Sequence, residues 1–358
     1  MRDRRSGATE LTTAAFDYDL PRELIARFPA ERRDESRLLV LDRARDSLED
    51  LQFTDVASFM APGDALVVND TRVFPARLRG RKPSGAPAEI LLLRPVESDD
   101  FAGTGEVWEA LVRPGGKLKP GRTVVVDEGL EVIIEDSAPG GGRIVRLRGE
   151  GDPWNLVQRY GEVPLPPYLE REAEPTDRDR YQTVYARYTG SVAAPTAGLH
   201  FTVALLDRIR SLGISVVSIT LHIGIGTFRP VDASTPSEHT LHPESYSVGE
   251  EAVRTLNSVR ERGGAVWAVG TTAARTLETI ADADGRFTAA SGWTELFIYP
   301  PFEFRAVDRL LTNFHLPRSS LLMLVAAFAG HGLTMRAYDH ATRERYRFYS
   351  YGDSMLVL

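Results

Sequence analysis

The chain is 358 residues long, is 42% hydrophobic and contains no cysteine. That length favours two domains, and the lack of cysteine excludes a disulfide framework, a thiolate nucleophile and a cysteine zinc site. With 43 basic and 50 acidic residues the net charge is -7, mixed enough in sign to exclude global disorder and unlike the strongly basic balance of non-specific nucleic-acid binders.

Residues 1–15 read as a loose tail. Arg2, Arg4 and Arg5 are not followed by an apolar stretch, so no signal peptide is expected. No run of about 18 apolar residues predicts a membrane span. From Phe16 to Phe28 an opening segment contains a short helix, with Pro21 suited to its first turn. Ser36 to Leu41 reads as a strand and Thr54 to Met60 as a short helix.

The texture then changes. Ala65-Val68, Ala76-Gly80, Ala88-Leu93, Trp108-Val112, Thr123-Val126, Glu131-Glu135 and Ile144-Leu147 are short strands divided by Gly- and Pro-rich turns. Such spacing without helices predicts an antiparallel barrel. Asp152 caps a helix that has Pro153 at its first position and Gly161 past its end. Helices then alternate with strands. Thr202 to Leu212 precedes the strand Ile214 to Leu221, and Gly249 to Arg262 precedes the strand Ala265 to Val269. Ala273 to Ala281 is helical and Thr294 to Tyr299 extended. Helices Ser319 to Ala329 and Thr334 to Tyr346 lead to a last strand, Ser354 to Leu358. The expected fold is α/β plus β: an α/β domain, 16–66 and 152–358, carrying an inserted antiparallel β-barrel domain at 67–151.

Polar and glycine-rich segments gather where these strands end, the side on which α/β folds hold ligands. Thr196, Gly198 and His200 precede a helix whose first N–H groups suit an anion, although, taken alone, a helix cap by Thr202 and a packed His200 explain the segment better. His222, Gly224, Gly226, Thr227 and Phe228 follow an apolar strand. Their GxG core lacks the third glycine of a dinucleotide fingerprint. His239, His242 and Glu244 could serve acid–base chemistry or ligate a metal, but Pro243 disfavours the helix that metal spacing needs, and no HExxH occurs. Val269-Gly270-Thr271-Thr272 runs into a helix bearing Arg275, like an anion cradle without its lysine. Asn313 and His315 share one face if extended. Tyr351 and Asp353 lie beside a C-terminal glycine. In the barrel, Arg72, Arg77, Arg79, Arg81 and Lys82 form one acid-free basic group, and Arg113, Lys117, Lys119 and Arg122 a second. Two such groups on neighbouring hairpins could form the patch an acidic RNA-binding protein would need.

Together, Ala193 to Thr202, Thr220 to Val231, Glu238 to Glu244, Val269 to Glu278, Thr312 to Pro317 and Tyr346 to Asp353 resemble the S-adenosylmethionine:tRNA ribosyltransferase-isomerase family of queuosine biosynthesis. So do Phe16 to Pro29 and the stretch from Val67-Val68-Asn69-Asp70-Thr71-Arg72 to Leu78. The resemblance runs from about Phe16 to Leu358. Its one departure is Glu303-Phe304 after Pro301-Phe302, where the family usually has a glycine-containing turn.

The resemblance implies a cytoplasmic, monomeric bacterial enzyme with two substrates, S-adenosylmethionine and a tRNA carrying aminomethyl-deazaguanine at the wobble position. It implies epoxyqueuosine-tRNA as product, with adenine and methionine released, no metal and no permanently bound cofactor. The sulfonium acidifies the ribosyl 5′ carbon, a base removes a proton there, and ring opening expels adenine. The aminomethyl group captures the fragment, and epoxide closure expels methionine. Such chemistry calls for a base and an acid shielded from water. On this reading His200, His222, His239, His242, Glu244 and His315 serve the reaction. Thr196, Gly224, Gly226, Thr227, Phe228, Thr271, Thr272, Arg275, Asn313, Tyr351 and Asp353 hold substrate, and Arg72, Arg77, Arg79, Arg113, Lys117 and Lys119 meet the tRNA. Two other readings stay open on the residues alone: a metal-dependent hydrolase using His239 and His242, and a non-catalytic tRNA-binding protein.

Overall fold

The computed structural model describes residues 11–96, 107–224 and 231–358. The chain first makes a hairpin of β1 (Arg37–Asp42) and β2 (Ser47–Gln52), then β3 (Ala65–Asn69) and β4 (Thr71–Val73). Six strands follow: β5 (Arg77–Arg81), β6 (Pro87–Pro95), β7 (Val107–Arg113), β8 (Thr123–Asp127), β9 (Leu130–Ser137) and β10 (Arg143–Arg148). Next come α1 (Pro153–Tyr160), α2 (Asp177–Arg180) and β11 (Tyr188–Ser191). Then α3 (Val203–Ser211), β12 (Ser215–Leu221), β13 (Glu244–Val248), α4 (Glu250–Glu261), β14 (Val266–Val269) and α5 (Thr271–Ile280) alternate. The chain closes with β15 (Ala290–Thr294), β16 (Arg309–Asn313), α6 (Ser320–Ala329), α7 (His331–Arg343) and β17 (Ser354–Val357).

Cα packing divides the chain into two units. One comprises Met1–Asp70, Pro195–Leu221 and Gly226–Leu358, and the other Thr71–Ala194 with His222–Ile225. The first is built on a nine-stranded mixed sheet in the order β15-β13-β12-β3-β14-β16-β17-β1-β2. Its centre, β12, β3, β14 and β16, is parallel. Of these, β3 and β14 are buried at every position, because helices cover the sheet. Local chemistry sets the helix starts. Thr202 accepts from Leu205 N at 3.1 Å to cap α3, and Ser319 accepts from Leu322 N at 3.2 Å to cap α6. Helix α6 is apolar nearly throughout and is a buried core helix. Among the described residues no single helix is long and apolar enough to cross a membrane.

In the second unit β10-β7-β6-β5-β8-β9 form a closed barrel with every pairing antiparallel. The α/β plus antiparallel barrel expected from the sequence is thus the fold observed. Alternate residues point inward: Ile90 and Leu92 from β6, Val132 and Ile134 from β9, and Trp108 and Ala110 from β7, all buried. Phe74, Trp108 and Trp154 pack ring against ring, with centroids 4.8–5.5 Å apart.

Several segments differ from expectation. The unit that holds the barrel runs to Ala194, where the insertion was expected to stop at 151. Helix α1 has the expected cap, Asp152 accepting from Asn155 N at 3.0 Å, but its Leu156 and Val157 join the barrel core together with Val192. At the other end, the tail expected to reach residue 15 is tied down from Thr13, which is buried and donates to Ser234 O and Ala233 O. The strand expected at Thr294 to Tyr299 instead ends at Thr294, where pairing with β13 stops at Glu244. Strands β2, β4, β11, β13 and β16 were not foreseen. They are short, and β2 and β13 carry mostly polar or exposed residues, so backbone pairing and not a buried stripe defines those two.

Candidate functional site

In the α/β unit, Asn313 closes β16 and is buried. Its Nδ2 lies 3.1 Å from His200 Nε2 and donates to Tyr349 O at 3.0 Å. An amide nitrogen only donates, so Nε2 accepts and the ring proton sits on Nδ1, 2.7 Å from Ser36 Oγ. The imidazole also packs on Phe53, with centroids 5.0 Å apart. His200 is therefore enclosed, with both nitrogens engaged. His315 follows β16, and its Nε2 lies 2.9 Å from Thr312 Oγ1. Because β16 ends at Asn313, His315 and Asn313 are not two inward residues of one strand. Asp353 accepts from Arg37 N at 3.0 Å and Arg347 N at 2.8 Å, and like Tyr351 it is buried. It braces the C-terminal turn.

Burial pushes the His200 imidazole down to about 4 and His315 down to about 3, from an ordinary 6.5. Both are neutral at physiological pH and buried, and His200 has both ring nitrogens engaged, which fits packing and orientation. Their depressed values also make folding acid-sensitive. In the unfolded chain both rings titrate near 6.5. The stability they add is full above that pH and is lost as pH falls through about 4. Each contributes on the order of a few kcal/mol. We expect the melting temperature to fall through this window and His315→Gln to flatten the fall. Parallel profiles for variant and wild type in scanning calorimetry would contradict this.

A second cluster forms where α5 meets β13. Glu244 opens β13, and its Oε2 accepts from Arg275 Nη1 at 2.6 Å, both side chains less than a tenth exposed. Arg275 Nε donates to Leu296 O at 3.0 Å. These two residues, with His242 and Ser320, form the polar side of a small pocket that opens to solvent. Leu241, Phe297, Ile298, Leu321 and Leu324 form its apolar side. His239 stands near, edge-on to Phe297 at 5.3 Å, and burial lowers its pKa. His242 is exposed. Among the described residues no group of three or more His, Asp or Glu side chains could hold a metal ion.

A third group surrounds the end of β3. Asn69 Nδ2 donates to Leu221 O at 2.9 Å and to Thr272 Oγ1 at 3.3 Å, while its Oδ1 accepts from Leu221 N at 3.0 Å. Gly270 precedes α5 with φ +88°, a left-handed conformation that admits glycine readily and lets β14 turn directly into Thr271 and Thr272, both buried. Thr196 lies at the start of the 3-10 turn ending in His200.

In the other unit, His222 Nδ1 lies 2.8 Å from Thr71 Oγ1. A Cβ at Gly190 would stand 2.7–2.9 Å from three atoms of the His222 ring, so only glycine admits this ring position. Burial lowers the His222 pKa without enclosing the side chain. Gly224 is two residues on. Gly226, Thr227 and Phe228 lie outside the described residues.

The six barrel cations separate. Arg77 donates to Leu165 O at 3.0 Å and faces Glu89 at 3.8 Å, largely buried. Arg79 is held by Glu162 at 3.1 Å and Glu172 at 2.5 Å. Arg72, Arg113, Lys117 and Lys119 are exposed and form no ion pair among the described residues. Sequence reasoning did not place Asn69, Thr71, Gly190, Phe297, Ser320 or Leu321. The polar triplet Asn69-Asp70-Thr71 at the end of an apolar strand was the available signal for the first two.

Polar side chains gathered at the strand ends of a mixed sheet, with a separate β-barrel, define an α/β enzyme joined to a barrel. Residues 13–357 match the family described as "Queuosine biosynthesis protein", and the chain belongs to that family. An S-adenosylmethionine:tRNA ribosyltransferase-isomerase of Symbiobacterium thermophilum is 52% identical over 345 residues, 96% of this chain and 98% of the relative. One from Syntrophomonas wolfei is 52% identical over 359 residues, 99% of each chain. A crystal structure of S-adenosylmethionine tRNA ribosyltransferase from Thermotoga maritima is similar with a TM-score of 0.55 at 41% identity, covering 96% of this chain and 100% of that one.

Proposed function

We propose that the chain transfers and isomerises the ribosyl moiety of S-adenosylmethionine onto the aminomethyl-deazaguanine base of tRNA. The product is epoxyqueuosine-tRNA, and adenine and methionine leave. The observation that carries this reading is identity of 52% across nearly the whole chain to proteins named for that transfer. A metal-dependent hydrolase on His239 and His242 has no support in the ligand geometry among the described residues. A non-catalytic tRNA-binding protein does not fit relatives named as enzymes.

The sulfonium makes the 5′ carbon acidic without a resident cofactor, so the protein needs a base that is neutral at working pH. His222 suits this role. Its pKa is lowered by burial, and one nitrogen is anchored on Thr71. His242, Glu244 and Arg275 bind a part of S-adenosylmethionine, a role supported by their shared pocket. His200, His315, Asn313, Asp353 and Tyr351 shape the surrounding scaffold. The same reading has the protein work as a monomer in the cytoplasm, where its tRNA substrate is found.

The direct test supplies protein with S-adenosylmethionine and tRNA bearing the aminomethyl base, then assays free adenine. Release that needs both substrates supports the reading, and no release defeats it. The tRNA surface is assigned to Arg72, Arg113, Lys117 and Lys119, because these cations are exposed and unpaired among the described residues. Lys117→Glu with Lys119→Glu should raise KM for tRNA, leave KM for S-adenosylmethionine unchanged and flatten the salt dependence of tRNA binding. Arg79→Glu should act mainly through stability, since its charge is already matched by Glu162 and Glu172. Equal tRNA affinity in the double lysine variant and wild type would refute this assignment.

A further inference from the structure

Arg275 uses two of its three guanidinium nitrogens inside the protein, Nη1 on Glu244 and Nε on Leu296 O. Nη2 is buried and has no hydrogen-bond partner among the described residues. Native proteins seldom leave a buried donor unmatched, and a bound ligand that supplies the acceptor is one standard reason. Arg275 lines the pocket whose apolar side is Leu241, Phe297, Ile298 and Leu321. The ligand for this place is constrained by charge. Glu244 already neutralises the guanidinium at 2.6 Å. A phosphate or simple carboxylate reaching Nη2 would set a second anion beside Glu244 in a poorly hydrated space, where like charges repel strongly. A neutral ring with apolar faces and a nitrogen acceptor on its edge meets no such penalty. Its apolar faces match in polarity the walls that include the Phe297 ring.

We propose that this pocket receives the adenine ring of S-adenosylmethionine, with Arg275 Nη2 donating to one of its ring nitrogens. The assignment rests on the reaction proposed above, which supplies adenine first as part of the donor and then as a product.

Free adenine is the probe. Its affinity for the wild-type protein is measured by calorimetry beside those of 1-deazaadenine, 3-deazaadenine and 7-deazaadenine, each lacking one ring-nitrogen acceptor. One analogue should bind about tenfold or more weakly than adenine, the loss expected when a buried donor goes unmatched. In Arg275→Lys the gap between adenine and that analogue should shrink, because a lysine ammonium is a point charge and does not reproduce the guanidinium fork. The analogue series needs no variant, so it decides the matter even if Arg275→Lys folds poorly. If all three analogues bind as adenine does, or if methionine and not adenine competes with S-adenosylmethionine for the pocket, the assignment is overturned. Adenine release from S-adenosylmethionine and tRNA is measured in parallel. Release with flat analogue affinities rejects the adenine pocket and keeps the reaction. No release rejects the reaction itself.

Discussion

His222→Ala should lose most adenine release, by about a hundredfold to ten-thousandfold, the range for removing one proton-transfer group. The melting temperature should stay close to wild type. The side chain is only partly buried, and its one described hydrogen bond is to Thr71 at 2.8 Å. Gly190→Ala gives an independent check through ring position. A methyl group 2.7–2.9 Å from the imidazole forces the ring to move. Adenine release should fall without loss of S-adenosylmethionine binding, so kcat drops while KM changes little. A fall in activity matched by a comparable fall in thermal stability would mark His222 as a packing residue and remove it from the reaction.

Glu244→Ala should destabilise the protein far more than His222→Ala does. It strands the Arg275 guanidinium, whose side chain is 7% exposed, without its carboxylate. Breaking a buried pair from one side costs about 3–5 kcal/mol, because the surviving charge is left in low dielectric. In a unit of this size that lowers the melting temperature on the order of ten degrees. Replacing both partners, Glu244→Met with Arg275→Met, should recover much of the loss, since no lone charge remains buried. Thermal denaturation of the single and double variants decides this. A single variant as stable as wild type, or a double variant less stable than the single, would show that the pair does not hold α5 to β13.

Parts of this architecture are written locally. Asp152-Pro153 and Gly161 mark α1, and Thr202 marks the start of α3, because capping depends on residues within one turn of each other. The barrel strands are legible because alternate residues face a common core, as Ile90 and Leu92 do in β6. The gathering of histidines and glycines at strand ends was legible for the same reason: once the strands are located, their ends follow.

Other features depend on residues far apart in the chain. Nothing near Leu156, Val157 and Val192 indicates that they belong to the barrel core, since the strands they cover lie earlier in the sequence. Arg77 and Arg79 look like two free cations until Glu89, Glu162 and Glu172 are brought beside them. His200 and His222 occupy similar glycine-flanked positions in the sequence. Folding closes Ser36, Asn313 and Phe53 around His200 and pushes its pKa down to about 4. It leaves His222 partly open against Gly190 and Thr71. The sequence by itself determined the family, the secondary structure set by caps and alternation, and the chemical types available at the strand ends. Which histidines keep an open nitrogen and which cations stay unpaired was decided by the tertiary structure, because burial and charge pairing are set by neighbours in space.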